Sequence, residues 1–204
     1  GAQSWGGAVA LAADTTLAGA GLSFAGTVDG GHALVLRSSG PTRFDAAVGA
    51  ATALASLDAQ LGGTVQFGGP SIETLGAQHY GGALQLRGNT RLAGGSLAFD
   101  GAVTGANDLL LQTDTLTVGA GLAGNGVLTI AARDASRSIG VAGGSGDLQI
   151  TQAVLDGASG FTQHVIGRSD GSGTLNVGTL ALRANTTLQT GSADLQLDGA
   201  VDGG

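Results

Sequence analysis

The chain repeats itself, and this limits its fold more than any other property. Gly1-Ala2-Gln3-Ser4-Trp5-Gly6-Gly7-Ala8 returns as Gly76-Ala77-Gln78-His79-Tyr80-Gly81-Gly82-Ala83, so that Gly1 recurs at Gly76. The same offset continues without a gap to Leu36/Leu111, and 18 of the 36 aligned pairs are identical. Shared apolar positions include Leu17/Leu92, Leu22/Leu97, Phe24/Phe99 and Val28/Val103. A third copy begins near Leu180. Leu182, Thr186 and Leu188 match Leu11, Thr15 and Leu17; after a two-residue insertion, Leu195, Leu197 and Val201 match Leu22, Phe24 and Val28. Residues 1–204 thus read as a single segment with units of about 1–75 and 76–150 and a partial copy over about 180–204. Periods of this size mark architectures whose units bury their apolar faces against their neighbours.

Short alternating triplets lie within and between the copies, among them Val65-Gln66-Phe67, Leu128-Thr129-Ile130, Leu148-Gln149-Ile150 and Leu175-Asn176-Val177. Alternation over so few residues, bounded by Gly, Asn and Asp, predicts many very short strands. The expected fold is all-β: a right-handed parallel β-helix, or β-solenoid, whose coils stack about 4.8 Å apart. A unit spanning 1–75 divides into three coils of 25 or four of about 19. If the unit is a whole number of coils, residues 1 and 76 sit at the same angular position. An antiparallel sandwich or barrel also explains short strands but not the ungapped repeat. The alanine-rich stretch 44–63 has a competing helical pattern through Val48, Ala51, Leu54, Ala55 and Leu61, although Phe44 and Val48 keep the spacing of Phe24 and Val28.

Composition agrees. Glycine fills 40 of 204 positions, which disfavours helices. Apolar residues reach 42% against 11% charged, the opposite of a disordered chain. Two prolines and no three-residue glycine period exclude collagen. The net charge of −7 and the lack of a basic run argue against nucleic acid as a partner. The acids are fourteen aspartates and one glutamate, Glu73, a skew toward turns. Cysteine is absent, as suits intracellular life or unfolded export through a narrow pore. No apolar run is long enough to span a membrane and no signal peptide is seen. The opening at Gly1 and the stop at Gly204, partway through a copy, read as an excerpt from a longer chain.

The units GAQxYGGAxxLxxxTxLxxxxLxFxGxVxG and FDAAVGAATALASL resemble repeats of large filamentous-haemagglutinin-like exoproteins of Gram-negative bacteria. The stretch Leu155–Leu182, with Val165-Ile166-Gly167-Arg168-Ser169-Asp170-Gly171-Ser172-Gly173, is similar to another recurring segment of that family. The resemblance implies a β-helical shaft of an adhesin exported by two-partner secretion. It also implies an outer-membrane transporter as partner during export, and location outside the cell or on its surface. Host-cell, bacterial or surface ligands are then expected to bind through other regions. The family's secretion domain carries Asn-Pro motifs, which this chain lacks, so the segment resembles interior shaft. A shaft of a contact-dependent toxin-delivery exoprotein is the nearest alternative, and a β-helical carbohydrate-active enzyme the alternative from another class.

The residues themselves point to no catalytic, cofactor or metal site. His32, His79 and His164 match no zinc-ligand spacing and read as exposed loop histidines. Gly143-Gly144-Ser145-Gly146-Asp147-Leu148 is the nearest approach to a calcium-binding nonapeptide, with its aspartate one position early. The aspartates therefore read as turn residues. Arg168 and Asp170 are spaced to form a turn pair. No two acids are adjacent in sequence, as a pair of carboxylates for glycoside hydrolysis would favour, and no enzyme activity is expected. Trp5 and Tyr80 hold equivalent repeat positions, too far apart for one sugar-binding platform, and are expected to pack at a corner or strand edge.

Overall fold

A computed structural model describes residues 1–105 and 107–203; Ala106 and Gly204, the expected close of the third copy, lie outside them. The described residues form a β-solenoid of about ten turns. Its strands are mostly two to six residues long, and every strand ladder among the described residues is parallel, which excludes the sandwich. Each turn lays one strand on each of three faces. The first face is an eight-stranded sheet running from Ala2–Trp5 to Ala158–Ser159. The second and third merge where Thr90–Phe99 and Leu109–Val118 each run round a corner as one strand.

The coil length is the shorter of the two expected. Gln3 pairs with Leu22, Leu17 with Leu36, Tyr80 with Phe99 and Leu92 with Leu111, each a step from i to i+19. Alternation then turns every second side chain inward, where it meets its like from the next coil. On the second face the inward row is Val9, Val28, Val48, Ile72, Leu92, Leu111, Ile130, Ile166 and Leu188. On the first, the rings of Trp5, Phe24 and Phe44 stack with centroids 4.7 Å apart, and Phe67 continues the column. Such rows are the core: Phe24, Leu34, Val48, Ile72, Leu111 and Ile166 are fully buried. Each large side chain removed from water in this way contributes about 1.5–3 kcal/mol.

The repeat is not in phase with the turns. From Gln3, through Leu22, Thr42 and Val65, four ladder steps end at Leu84. The repeat equivalent of Gln3 is Gln78, which falls six positions short of Leu84. Six positions are about one face. Trp5 therefore lies on the first face and Tyr80 on the third, so residues 1 and 76 do not share an angular position. What the copies preserve is contact between neighbouring coils. Trp5 stacks on Phe24, and Tyr80 on Phe99, by the same regular step. Gly26, Gly101 and Gly199, equivalent in the three copies, each lie on the backbone at Gly7, Gly82 and Gly178, where a Cβ would collide. All three faces need the same inward triplets, so a unit fits any third of a turn.

Stretch 44–63 carries no helix. Val48 bridges Val28 and Ile72, Leu54 bridges Thr74, and Ser56–Leu61 is a strand. The extra residues make a wide corner instead, lengthening the coil so that Thr42 pairs with Val65. One coil is much longer still: it separates Leu128 from its partner His164. Its excess over the regular step makes two strands on the third face, Ile139–Val141 and Leu148–Ile150, paired at an offset of nine. A five-residue helix, Gln152–Asp156, capped by the Thr151 side chain, then leads back to the first face.

Candidate functional site

The polar side chains able to carry chemistry lie mainly on the third face and its corners. Of the histidines, only His32 fits the expected exposed-loop setting, 3.6 Å from the carboxylate of Asp14. His79 points outward from the strand Ala77–Tyr80 and makes two close contacts. Its Nδ1 lies 2.8 Å from Asp58 Oδ1 and its Nε2 3.0 Å from Asp100 Oδ2. Hydrogen bonds to Asp58, then Asp100, raise its pKa above 6.5. His164 is an inward residue of Gln163–Gly167, 3% exposed, against the edge of the Phe161 ring. Burial lowers its pKa and keeps it neutral. Alternation could have placed His164 inside, since it lies two residues before Ile166. The His79 contacts were hidden because coil length was open between two values.

Several aspartates serve turns, three of them by reaching the next coil, whereas Asp58 and Asp114 lie within the strands Ser56–Leu61 and Leu109–Val118. Asp14 accepts from the Ala33 N–H, Asp29 from Ala51 and Thr52, and Asp108 from Val127. Asp134 accepts from the backbone and hydroxyl of Ser136, which holds its pKa below the usual carboxylate range. Asp147, the near-match to a calcium repeat, is tied to Ser138. Arg168 and Asp170 form a two-pronged pair at 2.7 and 2.8 Å. The arginine also donates to the carbonyls of Ala132 and Arg133, fastening the long insertion to the next coil. Arg137 pairs with Asp114 at 3.2 Å, and Arg91 with Glu73 at 2.6 Å. These contacts neutralise charges and brace corners.

Trp5 and Tyr80 each close a strand and are inward members of stacks, Trp5 half-buried on the edge strand of the first face and Tyr80 wholly buried. The Tyr80 hydroxyl donates to Gln78 Oε1, and Gln78 Nε2 donates to the carbonyls of Ile72 and Ala93, so this interior polar pair is satisfied. Desolvation raises the Tyr80 pKa and keeps the phenol protonated. Among the described residues, no three His, Asp or Glu side chains are arranged to hold a metal ion. None of the described helices is long and apolar enough to cross a membrane. The surface depressions are open grooves between strands, one of them lined by Pro70, Asn89, Arg91, Asp108, Leu110 and Thr129. No family model, curated protein or solved structure matches the chain.

Proposed function

We propose that the chain is a structural shaft segment of a secreted or surface-attached bacterial filamentous adhesin, exported with the help of an outer-membrane transporter. The single observation that supports this is the continuity of the inward rows: on the second face one aliphatic column passes through nine successive coils without a break. A column of that kind makes a stiff spacer, because each coil is held by its neighbours and length grows with coil number. The ionic side chains described above face one another, which suits a spacer better than a ligand-binding centre. Attachment would then be made by regions that the shaft carries, and the same shaft would also suit a toxin-delivery exoprotein.

The test is to place the chain, in one, two or three tandem copies, between a surface anchor and a known binding module on a Gram-negative cell. The height of the module should rise by about 48 Å per copy, ten coils at about 4.8 Å. Replacing exposed residues of the groove near Arg91 should leave adhesion unchanged. Adhesion by the chain alone, lost on such replacement, would show a binding surface instead of a spacer.

A further inference from the structure

The third face contains a polar chain that crosses coils of unequal length. Arg37 Nε donates to Gln60 Oε1 at 3.3 Å, and Gln60 Nε2 donates to Asp58 Oδ2 at 2.6 Å. Asp58 Oδ1 and Asp100 Oδ2 then hold the two ring nitrogens of His79 at 2.8 and 3.0 Å. Arg37 belongs to Ala33–Ser38, Asp58 and Gln60 to Ser56–Leu61, and His79 to Ala77–Tyr80; Asp100 follows Thr90–Phe99. Four successive coils are joined. The first two steps of the chain exceed the regular one, since Leu34 pairs with Leu57 and Leu57 with Gln78, and the last is regular, Gln78 pairing with Leu97.

We infer that His79 is a proton-dependent brace: as imidazolium it ties three successive coils of the rod together, and on losing its proton it releases one of them. The geometry requires this. A charged imidazole donates from both nitrogens, and each here faces a carboxylate oxygen. A neutral one has a single N–H, so one carboxylate is left facing a nitrogen lone pair. The titratable groups facing His79 from the strands packed on either side are Asp58 and Asp100, both acidic. Arg37 is reached only through Gln60. The raised pKa agrees in sign. Stability from the brace is complete below 6.5, the unfolded value, and is lost as pH rises through the higher folded value. The brace does not depend on the proposed role as a shaft.

Two measurements on the whole chain test it. The first is an NMR titration of the histidine rings, with His79 assigned by the His79→Gln variant. The second is amide hydrogen exchange, corrected for the intrinsic effect of pH. His79 should titrate above 6.5. Exchange in Ser56–Leu61 and Ala77–Tyr80 should quicken roughly threefold across that titration, the scale of one exposed ion pair. In His79→Gln this pH response should vanish. Asp100→Asn, a change at an exposed side chain, should bring the His79 titration down even if the glutamine variant folds poorly. A His79 midpoint at or below 6.5, or an exchange response that survives in Asp100→Asn with the same midpoint, would overturn the inference.

Discussion

An inward position in this fold is costly to disturb, and two residues show how differently. Phe99 is 1% exposed and stacked on Tyr80 at 5.4 Å. Phe99→Ala should cost about 3–5 kcal/mol, from lost transfer energy and a cavity the stacked coils cannot close. Leu75, 62% exposed, is the contrast: Leu75→Ala should stay within about 0.5 kcal/mol. Chemical denaturation of the two variants measures both. His164 adds a pH dependence opposite in sign to that of His79. Its folded pKa is lowered by burial, so the unfolded chain takes up the proton first. Its contribution is whole above 6.5 and falls as pH drops from there through the lowered value. His164→Leu should therefore lose less melting temperature than the native chain between about pH 7 and pH 5. Equal losses would mean that His164 is not kept neutral in the interior. Inward rows were legible in triplets such as Leu128-Thr129-Ile130, and the same alternation carried back from Ile166 reaches His164. The role of His79 was not, because Asp58 and Asp100 are remote in sequence and only the coil length turns that distance into a contact.

At the level of elements, the repeat was legible and its meaning was not. Eighteen identities in 36 pairs pointed to stacked units, but identity records which residues touch in adjacent coils, not where a coil begins. The long insertion left no periodic signal because its strands pair with each other at an offset of nine. Its geometry suggests how it can be removed. In the preceding coil Leu111 and Val118 lie seven apart on one strand. The partner of Leu111 in the long coil is Ile130, and the strand Leu148–Ile150 packs against Leu109–Val118. Deleting residues 134–146 brings Ile130 and Ile150 back to the same spacing of seven. Leu175–Val177 can then pair with Leu148–Ile150 in place of Ile139–Val141. This variant should stay soluble and melt cooperatively. A deletion of equal size over 84–96 removes inward residues Leu84, Leu86 and Leu92 and should unfold the chain, since a few such losses exceed the marginal stability of a domain. Equal circular-dichroism melts for the two would refute the assigned strand order in the insertion.

The molecule as a whole is a short rod. About six residues per face at about 3.3 Å each give faces about 20 Å wide, and ten coils at about 4.8 Å give a length of about 48 Å. Such proportions lie close enough to a globule of this size, with a radius of gyration of about 17 Å, that overall dimensions discriminate poorly. Distance along the axis discriminates well. On the first face, Ser4, Ser23, Arg43, Gln66, Gln85, Thr104, Ala123 and Ser159 form one outward row, linked step by step in the parallel ladders. The chain has no cysteine, so pairs of cysteines introduced on this row can carry spin labels without background. Pulsed dipolar spectroscopy should give about 24 Å between positions 4 and 104, five steps apart, and about 34 Å between 4 and 159, seven steps apart. The increase of two steps should hold although the second interval includes the longest coil. Distances that track sequence separation, or that are equal for the two pairs, would contradict a solenoid of stacked parallel coils.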